Sequence, residues 1–74
     1  MKARLEFNLP DDQDEFNMAV NGSNYWNVCW KLDQWLRSET KYNDKLSEDT
    51  IEAYELVREK LREFCNDNSV KLDA

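Results

Sequence analysis

Three tryptophans lie within ten residues of one another in the middle of the sequence, at Trp26, Trp30 and Trp35. Tryptophan, tyrosine and arginine are the side chains that most often anchor protein interfaces. Tryptophan also stacks on flat bases, and a nearby arginine or lysine can hold a phosphate. A small domain can equally use large aromatic side chains to fill its own core. The candidate binding residues are Tyr25, Trp26, Trp30, Trp35, Arg37 and Lys41.

Residues able to carry out catalysis are scarce. The chain has no histidine, which removes the usual imidazole base and the Ser-His and Cys-His nucleophile pairs. Its single glycine leaves no phosphate-binding loop. Cys29 and Cys65 lack the close spacing of zinc or redox motifs and are expected to be reduced core residues. The carboxylates at 11–15 suit the first turn of a helix. The sequence therefore predicts a protein that is not an enzyme, with no catalytic residue, metal or cofactor.

The charge of the chain narrows the range of partners. Sixteen acidic residues against ten basic ones give a formal net charge of −6. The lysines and arginines are scattered singly, so no patch is evident that could neutralise nucleic-acid phosphates. The sequence contains no apolar run long enough to span a membrane and no secretory leader. We therefore expect a cytoplasmic protein that binds neither nucleic acid directly nor membranes.

The length of 74 residues predicts one domain, residues 1–74, near the lower size limit for a single apolar core. Domains this small gain stability from disulfides, a metal or a partner subunit. The two cysteines and the absence of histidine argue against the first two sources. We therefore expect a homo-oligomer, a dimer or higher, or a well-packed helical core.

The hydrophobic pattern predicts a mostly α protein with minor β structure. Residues 3–9 alternate between apolar and polar side chains, which is typical of a half-buried strand. A short helix is expected after Pro10, and Gly22 is expected to close it in the left-handed conformation. The tail at 70–73 alternates again and predicts a short C-terminal strand. The two strands could pair with each other or with another copy of the chain.

Two long antiparallel helices are predicted between these termini. The first covers about residues 24–41, and its core stripe is expected to be Tyr25, Cys29, Leu32 and Leu36. Asp33 and Arg37 have the i,i+4 spacing of an ion pair on the polar side of this helix. The second helix is predicted to begin after an N-cap at Ser47 and to end near residues 66–68.

Three stretches of sequence are LEFNLPDD at 5–12, YWNVCWKLDQWLR at 25–37 and ELVREKLREF at 55–64. Together they resemble a family of small phage-encoded proteins of unassigned role. The resemblance extends over nearly the whole chain, and its most specific part is LDQWLR at 32–37. Because this family carries no established site, the resemblance assigns no functional residue. It implies a setting, which is the bacterial cytoplasm during infection.

That setting gives three functional hypotheses. The leading one is a non-enzymatic phage accessory protein that binds and inhibits a host protein, in host takeover or counter-defence. The second is a sponge that sequesters a small nucleotide signal between the tryptophans and Arg37, Lys41 or Arg4. The third is a purely structural homo-oligomer with no other partner.

Overall fold

The computed structural model describes residues 1–73, in which the chain forms three α-helices. These are α1 (Gln13–Val20), α2 (Gly22–Tyr42) and α3 (Glu48–Asp67). Only Asn21 separates α1 from α2, and its carbonyl oxygen accepts the N–H groups of Asn24 and Tyr25, which starts α2 directly. Gly22 lies inside the first turn of α2 without a positive φ. The prediction of a left-handed glycine at this break is therefore wrong.

Helix α3 begins where its sequence indicates. The side-chain oxygen of Ser47 accepts the N–H of Thr50 at 3.2 Å, which confirms the predicted N-cap. Glu48 and Asp49 occupy the first turn, where carboxylates favour the positive end of the helix dipole. A five-residue connection at 43–47 joins α2 to α3, so the two helices fold back as an antiparallel hairpin.

The predicted N-terminal strand at 3–9 is wrong, since no strand occurs anywhere in residues 1–73. The alternating side chains are present, but no second strand lies beside them to complete a ladder, and an isolated strand is not stable in water. The segment instead ends in a turn. The N–H of Asp12 donates to the carbonyl of Asn8 at 2.7 Å, and the N–H of Asn8 donates to the Asp12 carboxylate at 2.9 Å.

The predicted C-terminal strand at 70–73 is also wrong, because the chain turns sharply after α3. Ser69 adopts a positive φ of 59°. The N–H of Val70 donates to the Cys65 carbonyl at 2.7 Å, and that of Ser69 to the Asn66 carbonyl at 3.1 Å, which is the hydrogen-bond pattern of a Schellman motif. The tail is thereby directed back onto the hairpin, where Leu72 becomes buried.

An ion-pair network lies between the two long helices. Asp33 of α2 is 1% exposed, and its carboxylate accepts hydrogen bonds from Arg58 at 2.9 Å and from Arg62 at 3.0 Å, both on α3. A second nitrogen of Arg62 donates to both carboxylate oxygens of Asp73, at 2.9 and 2.8 Å. The network therefore connects α2, α3 and the C-terminal tail. Asp33 does not lie on the polar side of α2, as its spacing to Arg37 had suggested.

The apolar core of the hairpin is small. Leu36, Cys65 and Leu72 are the buried apolar side chains among residues 1–73. Tyr25 and Leu32, predicted for the core stripe, are 54% and 41% exposed. The face of α2 that meets α3 is centred on Asp33. Tyr25 and Leu32 therefore lie at the edge of that face.

Asp33 makes folding sensitive to acid. Burial alone would raise the pKa of its carboxyl group, but the hydrogen bonds and charges of Arg58 and Arg62 outweigh burial, and the pKa is lowered below its usual range. A carboxylate with a lowered pKa in the folded state stabilises the fold above its unfolded pKa of about 3.9. That stabilisation is lost as the pH falls through the lower, folded value.

We expect the substitution Asp33→Asn to destabilise the hairpin by about 3 kcal/mol, because Arg58 loses its counter-charge at the helix interface and Arg62 keeps only Asp73. The measurement is chemical denaturation at pH 7 and at several values down to pH 2, at one protein concentration. Asp44→Asn, at an exposed carboxylate in the connection, is the control and should change stability little. The variant Asp33→Asn should also lose less stability than the wild type below about pH 4. Equal stability of the two variants at pH 7 would contradict the structural role of Asp33.

Candidate functional site: an aromatic and basic side of the hairpin

Helix α2 carries all six predicted binding residues but divides them between two sides of the hairpin. At 100° per residue, Trp26, Trp30, Arg37 and Lys41 fall within an arc of about 60°. We call this the aromatic–basic side. Tyr25 and Trp35 lie about 100° or more away around the helix. The single patch predicted from the sequence is therefore spread over two sides of α2, which meet at a cavity that Tyr25 and Trp26 line together with tail residues 69–71.

Trp26 is a structural residue whose contacts hold the tail in place. Its indole N–H donates to the backbone carbonyl of Lys71 at 2.8 Å, and the side chain is half-buried. This bond ties the first part of α2 to the segment that follows α3. The sequence offers one signal for such a contact, the apolar residues Val70 and Leu72 in an otherwise polar tail.

Trp30 stacks on Trp26 and presents its ring to solvent. The two ring centroids are 6.3 Å apart and the ring planes differ by 14°. The Trp30 side chain is 39% exposed. Trp26 therefore supports a second tryptophan that is still available for contact. Stacking on a ring that is itself hydrogen-bonded restricts the rotamers of Trp30 before any partner arrives.

One basic residue of this side, Lys41, lines a shallow groove between the long helices. Lys41 is exposed at its edge and Arg37 is half-buried on the same side of α2. The groove has a volume of ≈ 460 Å³, and its lining residues are Thr40, Lys41, Glu55, Arg58, Glu59 and Arg62. Among these lining residues, Arg58 and Arg62 already bind Asp33. Glu55 and Glu59 add two carboxylates. The surface is therefore mixed in charge. Arg4, the other basic residue considered for a phosphate, lies in the exposed N-terminal segment.

Tyr25 and Trp35 belong to the opposite, apolar side of the hairpin. Trp35 is 50% exposed, and its ring lies 5.5 Å from that of Tyr54 on α3, measured between centroids. Arg37 and Lys41 lie elsewhere around α2, and the exposed Lys31 is one turn before Trp35. The two aromatic rings are suited to apolar contact.

The two cysteines lie close together at the interface of α2 and α3. Both are free thiols, with Cys29 half-buried and Cys65 buried. Burial raises the pKa of the Cys65 thiol, and the neighbouring Cys29 raises it further. Since the thiolate is the reactive form, Cys65 is poorly suited to act as a nucleophile. This agrees with the interpretation of both cysteines as core residues.

We expect Cys29 to react with a thiol reagent faster than Cys65 in the folded protein. The variants Cys29→Ser and Cys65→Ser each leave one thiol, and reaction with an aromatic disulfide at pH 7.5 gives the two rates. The thiol left in Cys29→Ser should react at least about tenfold more slowly, because its thiolate form is disfavoured by burial. In denaturant the two rates should become similar. A faster reaction of Cys65 in the native state would be evidence against this packing.

Within residues 1–73, no cluster of three or more metal-binding side chains is present, and no helix is long and apolar enough to cross a bilayer. No protein-family model matches the sequence, and neither a curated protein nor a solved structure is significantly similar to it. The arrangement of side chains on the hairpin is therefore the basis for assigning a function.

Proposed function

We propose that this chain is a non-enzymatic phage accessory protein that binds and inhibits a host protein in the bacterial cytoplasm through its aromatic–basic side. The observation that carries the proposal is the pair Trp26 and Trp30, in which an exposed indole is held in place by a second, anchored indole. The phage setting is the one implied by the resemblance of its sequence. The function requires binding alone, so no reaction is assigned to the site.

A pre-positioned tryptophan is an efficient anchor for a protein partner. Association is opposed by the ordering of side chains at the interface, at roughly 0.5–1.5 kcal/mol for each mobile side chain. Trp30 is already restricted by its stacking on Trp26, so little of this cost remains. Truncation of such an anchor typically weakens a complex by 2 kcal/mol or more. The expected partner has an apolar pocket that accepts an indole.

The charges around Trp30 indicate the chemistry of the surface that surrounds that pocket. Arg37 and Lys41 continue the same side of α2, while Glu55 and Glu59 of α3 line the groove beside Lys41. A partner with an acidic group opposite α2 and a basic group opposite α3 would complement this pattern. The net charge of −6 further favours approach to a basic protein surface.

The geometry gives less support to a nucleotide sponge. Arg58 and Arg62 are committed to Asp33, which leaves Arg37 and Lys41 as the cations of α2 on this side. With a rise of 1.5 Å per residue, Arg37 and Lys41 lie about 10 and 16 Å from Trp30 along the helix axis. That spacing suits the footprint of a protein better than one base and its phosphate.

We expect Trp30→Ala to weaken capture of the host partner by about 30-fold, the equivalent of a 2 kcal/mol hot spot. Tagged wild type and variants would be expressed in a bacterial host, and the amount of each co-purified host protein would be quantified by mass spectrometry. The affinity for the identified partner would then be measured by calorimetry. Trp30→Phe should retain most of the binding, because a flat aromatic ring still stacks on Trp26.

The matched control is Leu56→Ala, at an exposed apolar residue of α3 that lies away from both α2 and the aromatic–basic side. It should bind as the wild type does, and circular dichroism should show that all variants fold. Full partner capture by Trp30→Ala would refute the proposed surface. Native mass spectra that show an added mass of a few hundred daltons and no host protein would instead favour the nucleotide sponge.

A further inference from the structure

Helix α2 carries a second row of apolar side chains, on the side away from Trp30. The row follows the alternating three- and four-residue spacing of a heptad repeat. Val28 is 66% exposed and Leu32 41% exposed, although both are aliphatic. One charged residue, Glu39, interrupts the row, and its carboxylate accepts a hydrogen bond from Asn43 at 2.7 Å. The full row is Tyr25, Val28, Leu32, Trp35, Glu39 and Tyr42.

Helix α3 carries a corresponding row on the same side of the hairpin. Val57 and Phe64 are 48% and 58% exposed, and Tyr54 and Leu61 are half-buried between them and α2. The contact of Trp35 with Tyr54, at 5.5 Å between ring centroids, joins the two rows. Both helices therefore contribute to one continuous surface, which we call the apolar side.

The chain exposes more surface than a compact domain of its mass. A folded protein of 8.9 kDa is expected to have an accessible surface of about 4,800 Å². This chain exposes 6502 Å², roughly 1,700 Å² more than that expectation. Part of the excess belongs to the exposed N-terminal segment and to α1, which has no buried residue, and the rest to the hairpin. The radius of gyration is 17.0 Å, against about 11 Å for a compact domain of this length.

We propose that the apolar side is the interface of a homodimer, in which two hairpins pack face to face as a four-helix bundle. Each subunit of an obligate dimer buries about 1,000 Å² or more, and the exposed large apolar residues of both rows supply surface for such a contact. The heptad spacing of the α2 row suits packing of side chains between the helices of a second hairpin. A two-fold axis places the same surface on both copies, so the apolar side needs to complement only itself.

A second copy fits the apolar side better than a charged partner does. Each chain carries a net charge of −6, so two copies repel, and an interface with few carboxylates avoids adding to that repulsion. The α2 row contains a single carboxylate, that of Glu39, which already has a hydrogen-bond partner. The dimer also leaves the aromatic–basic side of each copy facing solvent. The inference is thus independent of the proposed binding to a host protein.

The first test is the mass of the wild-type protein in solution, from sedimentation equilibrium between about 1 and 100 μM. Twice the monomer mass of 8.9 kDa is expected, together with a melting temperature that rises with concentration. Leu32→Glu places a charge in the apolar side and should weaken the dimer by ~100-fold or more. Leu56→Glu introduces the same charge at an exposed leucine outside the apolar side and should leave the dimer intact.

A second variant separates loss of the dimer from loss of the fold. Tyr25 is 54% exposed, so Tyr25→Arg removes few contacts within one hairpin but introduces a charge in the interface. It should weaken the dimer by at least about tenfold while the helical circular dichroism signal persists at high concentration. A wild-type protein that stays monomeric up to 100 μM would overturn the proposal. A dimer that Leu56→Glu dissociates, and that Leu32→Glu and Tyr25→Arg leave intact, would also overturn it.

Discussion

The hairpin depends on one buried carboxylate. Asp33 lies at the middle of the contact between α2 and α3, where both oxygens accept hydrogen bonds from arginines of α3. Apolar packing alone allows two helices to slide by a turn, because similar side chains recur every three to four residues. A buried charge does not, since a shift in register would leave it without its partners. The Asp33 network therefore selects one register from several that the apolar residues permit.

That register determines what each side of the molecule presents. With Asp33 facing α3, Trp26 lies beside the returning tail and can donate to Lys71. Trp30 is then displayed on the aromatic–basic side, while Leu32 and Trp35 turn to the apolar side. The same network holds the tail, because Arg62 binds Asp33 and Asp73 together. One ion-pair network thus links the core, the tail and the separation of the two surfaces.

The sequence predicts best those structural features that depend on neighbouring residues alone. The N-cap at Ser47 needs only a hydroxyl and the next few N–H groups, so its pattern identifies the start of α3. The alternation at 3–9 was misleading, because a strand requires a partner that a single segment does not reveal. The prediction that Asp33 lies on the polar side of α2 is wrong because it, too, depends on contacts that are distant in sequence. Its i,i+4 spacing to Arg37 is visible in the sequence, whereas its contacts with α3 lie 25 and 29 residues away. The division of the candidate residues between two sides of α2 follows from helix periodicity, which a grouping by closeness in sequence does not take into account.

The small core of a single hairpin limits how much stability the chain can gain from its own contacts. Among residues 1–73, the buried side chains are one carboxylate and three apolar groups, so a single hairpin has little core to offset the entropy lost on folding. Its cysteines are free thiols, so no disulfide contributes to stability. Further burial can come only from contacts outside the hairpin, and the large apolar residues left exposed on both long helices are the surface available for it. The ion-pair network can specify a register without supplying much net stability, because burying its charges costs nearly as much as pairing them returns. The geometry of such a hairpin is defined by its own ion-pair network, and association is the source of additional stability that the proposed dimer would supply.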